Sequence, residues 1–467
     1  MFETIIDAIN TFLYSKLLIV ILIGAGIYFT IRTRVPQVRL FKNACKSVME
    51  KPEGEESVSS FQALMVSTAS RVGTGNIVGV SSAICIGGVG SVFWMWVIAI
   101  IGSASALAES TLAQIYKKKG EDGECYGGPA YYIEAALHSR GLAIAFCTAM
   151  ILTYAFGFNM LASYNLQSTF AGMSFYNAEV TPWIIGGVLA LVTGWCLLGG
   201  GHRIVKVTST LVPFMGIVYI LVSLLIVILN IGQLPAVFAQ IFEEAFNFKA
   251  IFAGFAGSAM MQGIRRGLYS NEAGIGSAPN AAASAVVSHP VKQGLVQMLS
   301  VFIDTLLLCT ATAMMCLASG VAPAKELQGA PWVQAALHKT MGSFGPYFIM
   351  IAMVLFAFTT LLGNCFYCDN LLTYIHKKQP GKKFMTGFRM VSALVIFLGA
   401  GMEMTLLWHI ADVLMGVMAL INIPVILILS NTVLKALKDY ETQVKEKKNP
   451  VFYRKNIDLK QKTDYWN

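Results

Sequence analysis

Of the 467 residues, 56% are hydrophobic and only 13% are charged, about half the charge of a soluble average, and mean hydropathy is +0.63. So few charges cannot clothe a water-soluble globule of this size, which excludes a disordered chain, a nucleic-acid-binding domain and a secreted disulfide scaffold and leaves a polytopic membrane protein. The net charge of +9 is no nucleic-acid footprint, because the basic residues form short clusters between long apolar runs.

Apolar runs long enough to cross a bilayer, about 20 residues each, occur at 11–31, 60–86, 91–116, 141–171, 182–199, 205–231, 250–286, 293–319, 344–375, 384–402 and 405–431. They predict an all-α protein with about eleven transmembrane helices. The first run is long, lacks a small-residue cleavage site and precedes a basic loop, so it reads as a retained span. Lys and Arg collect in alternate loops. Arg32, Arg34, Arg39, Lys42, Lys46 and Lys51 follow the first span. Lys117, Lys118, Lys119, Arg203, Lys206, Arg265, Arg266, Lys292, Lys377, Lys378, Lys382 and Lys383 lie on the same side, with nine more after residue 431. The other side has little beyond Lys16, Lys249, Lys325 and Lys339. Basic loops stay cytoplasmic, so the expectation is a plasma-membrane protein with an outside N-terminus and a cytoplasmic C-terminus. The tail from Lys435 to Asn467 is long enough for one helix on the membrane face and otherwise reads as solvated.

Two spans are interrupted. The second contains Gly73, Thr74, Gly75, Asn76 and Gly79; the seventh contains Gly254, Gly257, Gly263, Gly267, Gly274 and Gly276 with Gln262, Asn271 and Glu272. Glycine costs about 1 kcal/mol inside a helix, and unwound backbone at membrane depth is tolerated only beside a protein-lined or wet cavity. Close packing of small residues accounts for Gly75 and Gly79, but not for Thr74, Asn76 and Gln262. With the first span set aside, the two breaks open corresponding halves of a five-plus-five arrangement. An odd number of spans per half inverts one half relative to the other, and paired interruptions in inverted halves point to a transporter site near the midplane. Half-helix N-termini there face a carboxylate, and freed carbonyls face a cation.

Three stretches carry a resemblance: GTGNIVGVSSAICIGGVGSVFWMW at 73–96, RRGLYSNEAGIGSAPNAAA at 265–283, and FAFTTLLG at 356–363. Over residues 10–435 the chain resembles the alanine/glycine:cation symporter family. The resemblance implies a leucine-transporter-like core of ten helices plus one preceding helix. It divides the chain into an extra helix and basic loop (1–58), a first inverted repeat (59–231), a second (232–432) and a cytoplasmic tail (433–467). It also implies a sodium-driven symporter for a small neutral amino acid. By position, Gly73, Thr74, Gly75 and Asn76 would hold the substrate's carboxylate and amine. Phe255, Ser258, Met261, Gln262 and Gly263 match the facing stretch of the second broken helix, and Gln167 is a candidate for the pocket wall. The carbonyls of Ala69 and Val72 with the hydroxyls of Thr359 and Thr360 are the implied sodium ligands. Those hydroxyls have a plainer use in bonding to the preceding helical turn. Where many alanine-type members carry a tryptophan after FAFTTLLG, this chain has Asn364, which implies a roomier pocket that tolerates or prefers glutamine, with serine a further alternative substrate; in the plainer reading Asn364 faces a neighbouring helix.

Arg71, Glu109 and Asp304 lie within apolar spans, where an unpaired charge costs at least about 2.5–3.5 kcal/mol. Arg71 and Asp304 sit at similar depths, roughly 17 Å at 1.5 Å per residue, and are expected to pair; Asp304 as a cation ligand or proton relay is the alternative. The nine cysteines, Cys365 and Cys368 among them, read as small apolar helix residues. No HExxH, nucleophile elbow or P-loop occurs, so the chain reads as neither an enzyme nor an ATP-driven pump. The sequence calls for no cofactor beyond a co-transported sodium ion, and for no nucleic acid or obligate protein partner. Its partners are the amino acid, sodium and the bilayer, with proton coupling the competing reading.

Overall fold

The computed structural model describes residues 2–50, 57–121, 123–247, 258–461 and 463–466. In chain order its main helices are α1 (Ile5–Arg32), the pair α2 (Ser60–Arg71) and α3 (Gly75–Gly87), α4 (Ser91–Ile115), α5 (Arg140–Ser168), α6 (Thr181–Leu197) and α7 (Gly200–Leu229). They continue with the pair α8 (Ala259–Asn271) and α9 (Pro279–Ser284), α10 (Pro290–Ala318), α11 (Phe344–His376), α12 (Lys382–Ala400), α13 (Met404–Ile428) and α14 (Ser430–Lys445). Eight of these, namely α1, α4, α5, α7, α10, α11, α12 and α13, are long and apolar enough to cross a membrane. The remaining expected spans correspond to the two broken pairs and the 17-residue α6.

Local sequence explains where these helices start. Ser59 accepts from the amide of Gln62 while Gln62 reaches back to the Ser59 amide, a reciprocal cap that opens α2. Ser258 caps α8 by accepting from Met261. Pro290 opens α10, where a missing N–H costs nothing.

Burial sorts the helices into an inner and an outer set. Large apolar side chains such as Leu191, Trp195, Phe214, Leu221 and Leu394 on α6, α7 and α12 are exposed, as lipid-facing residues are. In contrast α2, α3, α8 and α9, with most of α4, α10 and α11, are buried. Glycine permits the tightest approach between them: an added Cβ on Gly363 of α11 would lie 2.7 Å from the Ser70 amide nitrogen. α1 packs against α4 and α13.

The tail departs from the solvated reading. α14 and the residues after it strap across the turn between α9 and α10. The Phe452 amide donates to Ser288 O at 2.9 Å, the Trp466 indole donates to Gln114 O at 2.7 Å, and Lys292 Nζ donates to Asn449 Oδ1 at 2.7 Å. Phe452, Ile457 and Trp466 are buried, and this apolar burial is what docks the segment. Lys117 lies under the Tyr465 ring at 3.8 Å, and burial pushes its amine down to about 8.

One contact in this strap is sensitive to acid. His289 Nδ1 accepts from the Val291 amide at 3.2 Å while Nε2 lies 3.2 Å from Asp439 Oδ2. Only a neutral ring with its hydrogen on Nε2 satisfies both. Burial outweighs the Asp439 carboxylate and holds His289 below its ordinary 6.5. The folded protein therefore binds fewer protons here than the unfolded chain. This contribution is complete above about pH 6.5 and is lost as pH falls toward the depressed folded value. Amide exchange across 430–466, corrected for intrinsic rates, is expected to accelerate on acidification from about pH 7 to about pH 5. His289→Asn, which keeps the cap without titrating, should flatten that dependence; an unchanged acid response in the variant would refute it.

Candidate functional site

The first break lies where the sequence puts it. Val72 leaves the helix at φ −77, ψ 84, and α3 restarts at Gly75. The freed Gly73 amide donates to Asn76 Oδ1 at 2.8 Å, and Asn76 Nδ2 donates to Asp304 Oδ1 at 2.7 Å and Asp304 O at 3.1 Å. Asn76 thus braces the break against α10. Thr74 Oγ1 accepts from Asn165 Nδ2 at 3.0 Å.

The second break lies further along than expected. Helix α8 runs unbroken through Met261, Gln262 and Gly263, and the backbone unwinds between Glu272 and Ser277. Left-handed φ values at Glu272 (54°), Gly274 (86°) and Gly276 (88°) mark it. Gly263 serves close packing instead: an added Cβ would lie 2.4 Å from Ser91 O. Gln262 packs beside Gly87, at the end of α3 remote from the first break. Phe255 lies outside the described residues, and Ser258 is the α8 cap. Glu109 of α4 satisfies the unwound chain, accepting from Gly274 N at 3.3 Å, Gly276 N at 3.1 Å and Asn422 Nδ2 at 2.8 Å. Glu109 thus braces the second break against α4 and α13.

The two breaks meet face to face. An added Cβ on Gly75 would lie 2.8 Å from the Tyr269 ring and 3.7 Å from Ser270 Cα. Ser270 Oγ donates to Asp304 Oδ1 at 3.0 Å, so Asp304 joins both broken helices. Tyr269 packs edge-on against Phe158 of α5 and Trp408 of α13, with centroids 4.8 Å away in each case. Tyr269, Ser270, Glu272, Asn165, Phe158 and Trp408 were not singled out as pocket residues. A Glu followed by G-x-G was the available signal for the break. Gln167 Oε1 accepts from Tyr176 at 2.9 Å.

The implied sodium ligands separate by role. Thr360 Oγ1 is buried, has no hydrogen-bond partner among the described residues, and points at Gly73, where an added Cβ would lie 1.9 Å away. Ala69 and Val72 are buried at the end of α2, where the last turn of a helix leaves carbonyls without intrahelical partners. A hard cation takes such oxygens. Thr359 instead donates to Leu355 O at 3.0 Å and Phe356 O at 3.2 Å.

The expected Arg71–Asp304 pair is absent among the described residues. Asp304 is already supplied by Asn76, Ser270 and Thr305, and Arg71 Nη1 donates to Gln297 O at 3.4 Å and Oε1 at 3.2 Å. Arg265 and Arg266, counted above with the basic loops, are buried within α8. Arg265 lies over the Tyr14 ring at 4.6 Å, and Arg266 lies over Trp408 at 3.9 Å while pairing with Asp412 at 2.5 Å. Asn364 is also engaged: its Nδ2 donates to Asn159 Oδ1 at 2.9 Å and its Oδ1 lies 2.8 Å from Ser70 Oγ. Among the described residues no group of three His, Cys, Asp or Glu is placed to hold a metal ion.

Comparison with known proteins agrees with this architecture. The sodium:alanine symporter family model matches residues 1–454. The chain is 43% identical over 456 residues to the "Probable sodium/glutamine symporter GlnT" of Bacillus subtilis, covering 97% of this chain and 93% of that protein. It is 38% identical over 462 residues to the sodium/alanine symporter AgcS of Methanococcus maripaludis, covering 96% and 99%. The crystal structure of MhsT in complex with L-phenylalanine shares the fold, with a TM-score of 0.61 at 14% identity over 83% of this chain and 93% of that one.

Proposed function

The chain belongs to the sodium:alanine symporter family, and on that premise we propose that it moves a small neutral amino acid, alanine or glycine, inward with sodium by alternating access. Sodium-coupled amino-acid symport is the family's activity. The observation that carries the finer reading is the meeting of two unwound segments with the unpartnered Thr360 hydroxyl against Gly73. In this reading the Gly73–Gly75 backbone, Thr74 and the Tyr269 ring receive the zwitterion. Thr360 and the terminal carbonyls of α2, Ala69 and Val72 among them, receive sodium. Asn76 and Asp304 hold the breaks in register. The basic loops supply the cytoplasmic face. A tenfold sodium gradient supplies about 1.4 kcal/mol, and 100 mV on one charge adds about 2.3 kcal/mol. Together they support an amino-acid gradient of several hundredfold per ion.

Glutamine is the second reading, favoured by the 43% identity to a relative named as a probable sodium/glutamine symporter; Asn364 adds nothing to it, because both ends of its amide are engaged by Asn159 and Ser70. Labelled alanine uptake into proteoliposomes, under imposed sodium, lithium or pH gradients and with unlabelled competitors, tests both. Alanine uptake driven by sodium is expected. Uptake driven by a pH gradient and indifferent to sodium would overturn the coupling, and no competition by a large excess of glutamine would remove the second reading.

A further inference from the structure

Arg265 is a buried cation without a counter-charge of its own. It is 8% exposed and lies about 10 Å along α8 from the cap at Ser258, at 1.5 Å per residue. A guanidinium stays charged and carries five N–H donors. Among the described residues Arg265 forms no ion pair, and its Nε has no hydrogen-bond partner. The groups that face it are Asp412 on α13, Arg266 on α8, and Tyr14 and Asp7 on α1. Asp412 is already paired with Arg266. Asp7 is 61% exposed and lies 3.7 Å from His409 Nε2, so most of its charge is answered by water. The Tyr14 ring, 4.6 Å away, attracts the cation through its face but offers no acceptor to the guanidinium edge.

Unpartnered polar atoms gather around these charges. Arg266 Nη1, Trp408 Nε1, Asp412 Oδ1 and both amide atoms of Asn10 are buried without hydrogen-bond partners among the described residues. Asn10 lies one helical turn before Tyr14 on the same face of α1. Tyr14 Oη donates to Asp412 O at 3.1 Å, and Arg266 lies over Trp408 at 3.9 Å. At this contact α1 opens into a wider π turn over Leu13–Leu18, a distortion frequent at functional sites. An intramembrane charge of this kind marks an ion or substrate pathway unless a partner answers it.

We infer that the cluster between α1, α8 and α13 binds a small monovalent inorganic anion of the halide class, held by Arg265 with the Asn10 amide and the Trp408 indole N–H. One negative charge balances the surplus guanidinium, and a divalent anion would leave the opposite excess. The two acceptors without partners, Asp412 Oδ1 and Asn10 Oδ1, suit the water that a partly hydrated ion keeps. An amino-acid carboxylate has the same charge but brings an ammonium toward two guanidiniums. Trp408 packs edge-on against Tyr269, so an anion on the indole N–H steadies the ring that covers Gly75. Only the uptake consequence rests on the symport reading.

Unfolding midpoints in detergent, at fixed sodium and ionic strength with chloride exchanged for gluconate, test the site. Chloride and bromide should raise the wild-type midpoint saturably, and gluconate should not. Arg265→Gln should raise the chloride concentration for half of that rise about tenfold or more, as loss of a charged hydrogen-bonding partner does. Asn10→Ala should shift it in the same direction, and it answers the question if Arg265→Gln does not fold. Bromide-soaked crystals of the wild type should show an anomalous peak beside Arg265. Absence of a saturable rise or of that peak, or an unchanged rise in the variants, overturns the inference. So does a chloride response that appears only in Asp7→Asn, which would make Asp7 the counter-charge. An Arg265-dependent rise given by alanine in gluconate, and not by chloride, would put a substrate carboxylate there and also overturns it. In proteoliposomes chloride should lower the KM for alanine relative to gluconate. Failure of uptake in both salts would count against the symport reading, with the midpoints and the bromide peak still deciding the anion.

Discussion

Gly73→Ala is expected to abolish sodium-driven uptake. The added Cβ would lie 1.9 Å from Thr360 Oγ1 and 3.2 Å from Thr360 Cβ, and no side chain tolerates the first distance. Thr360 relieves the clash only by rotating about χ1, which carries its hydroxyl away from the break. Backbone relief would pull the break off α11. Either route moves the Thr360 hydroxyl, which has no hydrogen-bond partner among the described residues, away from the break at Gly73. A hydrogen-bonding partner of a charged group is worth about 1.5–3 kcal/mol, roughly ten- to a hundredfold in sodium affinity. The companion pair of variants separates the two threonines. Thr360→Val deletes an unpartnered oxygen and should raise the sodium concentration for half-maximal uptake about tenfold or more. Thr359→Val deletes a hydroxyl already bonded to Leu355 O and Phe356 O and should change it much less. A larger sodium defect in the Thr359 variant would sink the assignment.

The sequence made the membrane class, the two interrupted helices and the first break legible, because each rests on local composition. Gly73, Thr74, Gly75 and Asn76 form one compact run, and that run is the break. The second break was harder to place. Gly254, Gly257, Gly263 and Gly267 advertise unwinding as loudly as Gly274 and Gly276. What separates them is tertiary: Gly263 and Gly267 sit in regular helix because α4 needs the room, while Gly274 and Gly276 adopt left-handed φ because Glu109 receives their amides. Glu109 lies more than 160 residues away, beyond the reach of any local pattern. The same applies to Arg71. Depth along a helix suggested Asp304, but helical phase decides contact, and phase turns Arg71 toward Gln297. Arg266 misled in the opposite direction. An arginine pair near a glycine-rich stretch counts as a basic loop until its carboxylate partner on another helix is known.

That partner sets the second large effect. Arg266 and Asp412 are 5% and 1% exposed, and their Nη2 and Oδ2 are 2.5 Å apart. Removing one member of a buried pair strands the other, at a cost of about 3–5 kcal/mol. Asp412→Asn and Arg266→Met are each expected to lose that much, read as a lower midpoint of unfolding in detergent. The double replacement Arg266→Met with Asp412→Leu removes the pair together and should recover much of the loss, since such swaps are often neutral, short of what buried Arg265 loses with the Asp412 carboxylate it also faces. Additive losses in the double variant would show that the two residues act independently and refute the pairing. Stability and uptake should then part company. Arg266 holds Trp408 from one side at 3.9 Å, and Trp408 holds Tyr269, whose ring fills the space over Gly75. An apolar pair restores the fold's energy but not the guanidinium stacked on Trp408, so the Tyr269 ring is less firmly placed. The recovered double variant should therefore still show a raised KM for amino acid, a result that bulk packing alone does not produce.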